Sequence, residues 1–218
     1  MKPLNGNCKI YYMLLGGIII FGFLVGGGVI TPQMNMFDLG GFVSFSMYET
    51  NVKEKTPLSS LYLSARFGYA PVEEFFPYVI VGIKNLVPLS PVPTLNQFGA
   101  GAKVSLLSKE RDINFNFDAH FEYYPFIEKT KGGFLNNLFW QLSPTISFKF
   151  ANSLVYVGGG YKDFIIELED GVVLKSRPQN RFFVAVGGDY YLNPQTYITV
   201  ELHSFGQNLI SAGISHRF

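Results

Sequence analysis

Strict alternation of apolar and polar side chains marks the stretch from Asp112 to Tyr124. Every second residue from Ile113 is apolar, and the residues between them are polar until the aromatic end of the stretch. A period of two is typical of an extended strand with two unlike faces. The stretch is about as long as a tilted strand that crosses a bilayer, on the order of 9–11 residues. It therefore predicts a β-strand with one apolar and one polar face.

The same alternation recurs after Thr31, where the chain has no helical period and no second long apolar run. It predicts ten strands, over 37–48, 58–69, 76–84, 97–107, 112–124, 138–150, 154–164, 181–192, 197–205 and 210–218. Eight strands remain an alternative if the third or the seventh stretch is not a strand. Pro144 falls on the apolar face of the sixth strand and has no N–H to donate, so we expect a bulge or kink there. The pattern predicts an all-β, antiparallel up-and-down barrel.

The links between these strands alternate in length. On the side that holds both ends of the barrel they are short: 70–75, 108–111, 151–152 and 193–195. On the opposite side they are mostly long: 49–57, 86–96, 125–137 and 167–180, with the short link 206–208 as the exception. Short turns at one end and longer loops at the other are typical of outer-membrane barrels.

Composition helps to decide which face points outward, because a soluble lipocalin-like carrier would show the same period. Only 15% of the residues are charged and 17% are aromatic, whereas roughly 25% charged residues is typical of soluble domains. The polar faces are rich in Ser, Gly, Asn and Thr, which suit a narrow lumen. These observations favour a transmembrane barrel with its apolar face on lipid. On that interpretation Phe117→Lys should cost about 2–4 kcal/mol, and Asn116→Ser should be nearly silent.

Aromatic residues gather near the strand ends, and two aromatic girdles are typical of the two membrane interfaces. One predicted girdle, on the side of the short turns, contains Tyr69, Phe75, Phe76, Phe148, Phe150, Tyr190, Tyr191, Tyr197 and Phe218. The other contains Tyr48, Tyr123, Tyr124, Phe139, Trp140, Phe182, Phe183 and Phe205.

The first 30 residues differ from the rest of the chain. Lys2 and Lys9 precede an apolar block from Ile10 to Val25, and three glycines follow it. A basic start, an apolar core and a small-residue exit predict a secretory signal peptide, that is, an N-terminal apolar leader helix. An uncleaved membrane anchor is the alternative. The sequence therefore predicts two parts, a leader over 1–30 and an outer-membrane β-barrel domain over 37–218.

Charge and cysteine content exclude some partners and cross-links. The chain has 17 basic and 16 acidic residues, and the leader holds two lysines and no acid, so the barrel has a net charge of −1. A near-neutral barrel argues against a nucleic-acid partner, which favours a basic patch. Cys8 is the only cysteine and lies in the leader, so no disulfide is expected in the barrel.

The last predicted strand follows the pattern Ile210-x-Ala212-x-Ile214-x-His216-x-Phe218. It resembles the terminal strand of bacterial outer-membrane β-barrel proteins, although His216 stands where that family usually has an aromatic residue. Over 37–218 the pattern looks most like the small OmpA- and OmpW-type barrels of the porin superfamily. The resemblance implies a place in the bacterial outer membrane, contact with its lipid, and recognition of Phe218 by the barrel-assembly machinery.

Charged residues on the polar faces should lie in the lumen. They are Arg66, Lys84, Lys103, Lys149, Lys162, Arg181 and Arg217, with Asp38, Asp118, Glu122, Asp189 and Glu201. Buried charges need partners, so we expect a network, joined by His120, that crosses and fills the lumen. The alternative is a narrow pore with a slight anion preference.

Two acid–histidine pairs, Asp118 with His120 and Glu201 with His203, are weak catalytic candidates. Each pair shares a strand face at a spacing of about 7 Å, and an acid that orients a histidine base is a recurrent hydrolytic device. The alternative function is therefore a rim-catalytic hydrolase that resembles omptin proteases or lipid-A-modifying enzymes. Because any polar lumen generates such pairs, we expect no enzyme and no cofactor or metal. We expect a structural, surface-interaction or narrow-pore role, with external loops as a possible binding surface for host or environmental molecules.

Overall fold

The computed structural model describes residues 34–48, 58–87, 94–107, 112–125, 135–169, 173–176, 180–205 and 207–218. The strands are β1 (Met36–Tyr48), β2 (Leu58–Ala70), β3 (Phe75–Val87), β4 (Thr94–Ser105), β5 (Ile113–Pro125), β6 (Leu135–Phe150), β7 (Ser153–Glu169), β8 (Val173–Ser176), β9 (Phe182–Tyr191), β10 (Thr196–Ser204) and β11 (Gln207–Arg217). Within these ranges, no helix has the length and apolarity needed to span a membrane. The predicted leader lies outside the described residues.

Ten of the strands form a closed antiparallel barrel. The sheet runs β6-β5-β4-β3-β2-β1-β11-β10-β9-β7, and pairing of β6 with β7 closes it. The short β8 pairs with the far end of β7, over Ile166–Glu169. This pairing lies beyond Tyr161, where the ladder between β7 and β9 ends. The prediction of ten strands is confirmed, and the eight-strand alternative is wrong. We call the end with the short connections the turn side and the opposite end the loop side.

The ladder between β6 and β7 is interrupted at Pro144 without a bulge. Leu142 pairs with Tyr161 and Thr145 with Gly158, so the register is the same on both sides of the interruption. The expected extra residue is absent because the strand needs only to skip the hydrogen bond that proline cannot donate. A Cβ on Gly158 would overlap the carbonyl oxygen of Pro144, so the close approach of the strands requires glycine there.

Large apolar side chains cover the outside of the barrel, and charged side chains fill its inside. Val43 and Val81 are 50% and 51% exposed on the outer face, whereas Asp38 and Lys162 are 0% exposed within. Soluble proteins bury apolar side chains and rarely expose large apolar patches. An apolar band around a polar interior is the arrangement of a transmembrane barrel. It does not fit a soluble carrier.

Outward-facing aromatic residues lie near both ends of the barrel. On the turn side these are Phe37, Phe75, Phe150, Tyr190 and Phe218, and on the loop side Tyr123, Trp140, Phe182 and Phe205. Six predicted girdle members instead face the interior: Phe76, Tyr124, Phe139, Phe183, Tyr191 and Tyr197. Most of them belong to adjacent aromatic pairs along one strand. Because neighbouring side chains in a strand point to opposite faces, only one member of each pair can reach lipid.

Candidate functional site

The turn-side half of the lumen contains a cluster of side chains around the carboxylate of Asp38. Asp38 Oδ1 accepts a hydrogen bond from Arg66 Nη2 at 3.2 Å, and Asp38 Oδ2 accepts one from the Tyr197 hydroxyl at 2.6 Å. Arg217 Nε lies 3.6 Å from the same oxygen, and its Nη2 donates to the hydroxyl of Tyr191 at 3.5 Å. We call these five residues, which come from β1, β2, β9, β10 and β11, the turn-side cluster.

Aromatic rings hold the two guanidinium groups of this cluster. Arg66 Cζ lies 5.0 Å from the ring centroid of Phe42 and 5.8 Å from that of Phe76. Arg217 Cζ lies 4.6 Å from the ring centroid of Tyr197. Cation–π contacts of this kind are worth more when the cation is desolvated. Phe76 and Tyr197, which the sequence analysis placed in a girdle, are therefore partners of lumen cations.

A second cluster lies toward the loop side. Lys84 Nζ sits between two rings, 4.6 Å from the centroid of Tyr62 and 4.5 Å from that of Tyr124. The hydroxyl of Tyr124 donates to Glu122 and accepts from Gln97 Nε2 at 3.4 Å. We call these five residues the loop-side cluster.

Between the two clusters lies a cavity of about 160 Å³. Its lining includes seven charged or titratable side chains that the sequence analysis named: Arg66, Lys103, Asp118, His120, Glu122, Glu201 and His203. The rings of Phe42, Tyr62, Tyr78 and Phe139 also line it. These groups therefore face a common space in the lumen.

Glu201 and His203 are in direct contact. His203 Nε2 lies 2.5 Å from Glu201 Oε1, and the other carboxylate oxygen accepts a hydrogen bond from the Tyr156 hydroxyl at 2.5 Å. The imidazole ring stacks on Phe183 with 4.6 Å between centroids. The pair is therefore fixed by a second strand, β7, through Tyr156.

The other predicted pair is replaced by a different one. Asp118 Oδ1 accepts a hydrogen bond from the Tyr78 hydroxyl at 2.7 Å, and Lys103 is its cross-strand neighbour. His120 Nε2 lies 3.5 Å from Glu122 Oε1 and not beside Asp118. Both acids flank His120 at the same spacing, so alternation alone could not choose between them.

Two residues assigned to the lumen lie elsewhere. Lys149 is exposed at the turn-side end of β6, two residues beyond the buried Ser147. Arg181 precedes β9 and reaches the outer face, where Nη1 donates to the Tyr161 hydroxyl at 2.9 Å and Nε lies 3.7 Å from Asp163 Oδ2. Both positions are at strand ends, where alternation no longer fixes a side chain inside the barrel.

The remaining lumen charges lie inside as expected. Lys162 is fully buried with Nζ 5.1 Å from the ring centroid of Phe183, and Asp189 accepts a hydrogen bond from Thr199 at 2.5 Å. His216 is on the outer face, with Nδ1 2.9 Å from Thr196 Oγ1. Among the residues that the structure describes, no three His, Cys, Asp or Glu side chains are grouped to hold a metal ion.

Comparison with known proteins identifies the architecture. No family model and no curated protein matches the chain. An outer membrane channel from Pseudomonas putida F1 matches with a TM-score of 0.51 at 7% sequence identity, covering 88% of this chain and 99% of the channel. Neisserial surface protein A matches with a TM-score of 0.46 at 11% identity, covering 84% of this chain and 97% of that protein. The translocator domain of the autotransporter NalP from Neisseria meningitidis matches with a TM-score of 0.46 at 8% identity, covering 97% and 96%.

The fold and the inverted distribution of polar and apolar side chains define a class, the small transmembrane β-barrels of outer-membrane type.

Proposed function

We propose that the protein is an integral barrel of a bacterial outer membrane with a closed lumen and a structural or surface-interaction role. The turn side would face the periplasm and the loop side the cell exterior, in keeping with the usual asymmetry of such barrels. The lipid-facing apolar band supports the membrane location. The narrow-pore role becomes the less favoured alternative.

The observation that carries the closed lumen is the contact of buried Asp38 with Arg66, Tyr197 and Arg217. An ion on its way through the barrel would have to separate these groups. Separating a buried ion pair leaves a charge without its partner, at a cost of about 3–5 kcal/mol. Such a barrier opposes steady conduction.

Single-channel recording in planar bilayers tests this proposal. The wild-type barrel should give no stable conductance steps, and the double variant Asp38→Ala with Arg66→Ala should give them. Lys149→Ala, which removes an exposed turn-side charge, should behave like wild type. Stable wild-type steps would overturn the closed lumen and favour the narrow pore. Heat-modified mobility on a gel shows that each variant is folded before it is recorded.

Membrane fractionation tests the location. The barrel should partition with the outer membrane and shift its gel mobility only after boiling. A water-soluble monomer would contradict the proposal.

We also propose that β11 and the exposed ring of Phe218 contact the barrel-assembly machinery. Phe218→Ala should then slow assembly in cells while leaving refolding in detergent unchanged.

The surface role would rest on the loop side. Most of the predicted loops lie outside the described residues, but β7 and β8 extend one hairpin past the barrel through pairs such as Glu167 with Lys175. We propose this hairpin as a contact surface for host or environmental molecules. Deletion of residues 167–176 should abolish binding to such partners and leave the barrel heat-modifiable.

We propose a structural role for the acid–histidine pairs. Glu201 is engaged by both Tyr156 and His203, which supports a part in holding the strands together. The competing hypothesis of a hydrolase is tested by assaying the refolded barrel on peptide and lipid substrates. Turnover that is lost in His203→Ala would overturn the structural assignment.

A further inference from the structure

We propose that the cavity between the turn-side and loop-side clusters binds a small uncharged phenol, a single aromatic ring that carries one hydroxyl group. Binding requires the folded barrel, and it does not require the lumen to be closed to ions. A failure of binding and a failure of the conductance test are therefore separate results.

The fixed charges of the lumen are balanced. In the part of the barrel that the structure describes, five basic and five acidic side chains face the lumen: Arg66, Lys84, Lys103, Lys162 and Arg217, with Asp38, Asp118, Glu122, Asp189 and Glu201. The cavity lining has two of these cations and three of these carboxylates, and Lys84 interacts with one of the three, Glu122. A charged ligand would therefore add a charge with no counter-charge left over, and a buried charge without a partner is costly. The balance favours an uncharged ligand.

The walls of the cavity suit an aromatic ring. Four rings line it, those of Phe42, Tyr62, Tyr78 and Phe139. Ile80 and Leu209 also line it and are half-buried on the inward faces of β3 and β11, so part of their apolar surface is open to the lumen. A flat apolar body would cover this surface and pack against the rings at favourable distances.

The cavity also presents hydrogen-bond acceptors that a ligand can reach. Asp118, Glu122 and Glu201 line it and are half-buried on the inward face of the barrel. The side chains of Glu122 and Glu201 are 12% and 16% exposed, and on the inward face this exposed surface adjoins the lumen. An ionised carboxylate has about four lone-pair sites, so one that already has a donor can accept another.

The barrel itself uses the contact that the ligand would make. Each of the three carboxylates accepts a hydrogen bond from a tyrosine hydroxyl: Asp118 from Tyr78 at 2.7 Å, Glu201 from Tyr156 at 2.5 Å, and Glu122 from Tyr124. A phenol in the cavity would donate to a carboxylate in the same way. An apolar ring of the same size would displace water from the carboxylates and return no hydrogen bond, which lowers affinity.

The size of the cavity limits the ligand to one ring. Its volume is about 160 Å³, and an engineered cavity of about 150 Å³ in another protein holds one benzene molecule. Phenol has one heavy atom more than benzene and so fits the space.

Methyl NMR of the barrel refolded in micelles tests the proposal, because it separates the lumen from the outer face. Ile80 lines the cavity, whereas Ile83, later in the same strand, is 43% exposed on the outer face. Phenol should shift the methyl signals of Ile80 saturably, through the ring current of the bound molecule. Ile83 should respond only to phenol dissolved in the micelle, without saturation.

Probes of similar size separate the contributions of the ring, the hydroxyl and charge. Each dissociation constant is taken from the Ile80 shift at the free aqueous concentration of the probe. Toluene, which lacks the hydroxyl, should bind about tenfold more weakly than phenol, the effect of one hydrogen bond to a carboxylate. Benzoate and benzylamine, which carry opposite charges, should both bind more weakly than phenol.

Amide variants identify the carboxylate that accepts the hydroxyl. At least one of Asp118→Asn, Glu122→Gln and Glu201→Gln should weaken phenol binding about tenfold and leave toluene binding unchanged, because a charge-assisted bond is lost. Asp112→Asn, at an exposed turn-side acid, should change neither.

A steric variant tests the location of the bound ring. Ser64 lines the cavity, and Ser64→Leu should abolish the binding of phenol and of toluene by filling the space. Ser204→Leu, at an exposed residue on the loop side, is the matched control and should leave both affinities unchanged.

Four results would overturn the proposal. The first is the absence of a saturable shift at Ile80 in the folded barrel, which would mean that the cavity holds water only. The second is equal affinity for phenol and toluene, and the third is tighter binding of either charged probe. The fourth is phenol binding that persists in all three amide variants. If an amide variant does not give a heat-modifiable barrel, Ser64→Leu decides, since phenol binding that survives it would place the ring outside the cavity.

Discussion

Asp38 Oδ1 lies 3.2 Å from Arg66 Nη2, and the two side chains are 0% and 4% exposed. The contact joins β1 to β2, and the second carboxylate oxygen extends it to Tyr197 of β10 and Arg217 of β11. One side chain therefore connects the first strand of the barrel to its last two. The same contact stabilises the seam where β1 meets β11, and under the proposed function it closes the lumen.

Replacing Asp38 with alanine should destabilise the barrel strongly. Arg66 and Arg217 would stay buried without their carboxylate, and breaking a buried pair costs about 3–5 kcal/mol. Urea unfolding of the barrel refolded in lipid vesicles measures the loss. Asp112→Ala, at an exposed acid, should change the free energy of unfolding by no more than about 0.5 kcal/mol. Equal effects of the two substitutions would contradict the role of Asp38.

The strands of the barrel could be predicted because a two-sided strand leaves its period in the sequence. The stretch from Asp112 to Tyr124 became β5 (Ile113–Pro125) almost residue for residue. Alternation also identified which charged residues enter the lumen, provided that they lie well inside a strand. Lys149 and Arg181 were misplaced because both lie at strand ends, where the lumen no longer encloses a side chain.

The partners within the lumen could not be predicted from the sequence. Contacts such as Arg66 with Tyr197 join positions 131 residues apart. Strand alternation predicts the face on which a side chain lies, but neither its position along the barrel axis nor its rotamer. The same limit explains why His120 lies beside Glu122 when Asp118 was an equal candidate. Some inward aromatic residues could have been predicted from adjacent aromatic pairs in the sequence. Adjacent residues in a strand point to opposite faces, so one member of each pair must face the lumen.

A lysine on the outer face should cost more at mid-depth than at the rim. Phe117 lies near the middle of β5, and Phe150 lies at the turn-side end of β6. Phe117→Lys should destabilise by about 2–4 kcal/mol and Phe150→Lys by about 0–1 kcal/mol, because only the first charge enters hydrocarbon. Unfolding of both variants in lipid vesicles measures the difference. Equal costs would argue against the proposed depth of these residues.

Asn116→Ser should not be silent, contrary to the expectation from alternation alone. Asn116 accepts a hydrogen bond from Ser105 at 2.8 Å and donates one to Ser147 at 2.9 Å, so it links β4, β5 and β6. Serine is too short to make both bonds, and each lost bond costs about 0.5–1.5 kcal/mol. Asn152→Ser, at an exposed turn-side residue, serves as the control. An unfolding midpoint equal to that of the control would show that the two hydrogen bonds of Asn116 do not stabilise the barrel.

Glycine at position 160 allows the close approach of β6 and β7. A Cβ there would overlap the carbonyl oxygen of Leu142 and lie 2.8 Å from ring atoms of Phe183, whereas a Cβ on Gly41 would meet nothing within 4 Å. Gly160→Ala should therefore destabilise by about 1–3 kcal/mol through overpacking, and Gly41→Ala should not. Chemical unfolding in micelles compares the two variants. If Gly160→Ala were tolerated as well as Gly41→Ala, the close approach of β6 and β7 would be refuted.

The tight link between β10 and β11 stores backbone strain at Phe205. Its φ is 64°, a left-handed conformation in which a bulky residue is disfavoured and asparagine is tolerated. Such strain costs on the order of 1–3 kcal/mol. Phe205 is 67% exposed and Phe182, an aromatic residue on the same side of the barrel with no positive φ, is 66% exposed. Both substitutions to asparagine remove an equally exposed ring, and only Phe205→Asn relieves strain. Phe205→Asn should therefore be more stable than Phe182→Asn by about 1 kcal/mol or more in urea unfolding. The reverse order would show that the interfacial contact of the Phe205 ring stabilises the barrel by more than the backbone strain at Phe205 destabilises it.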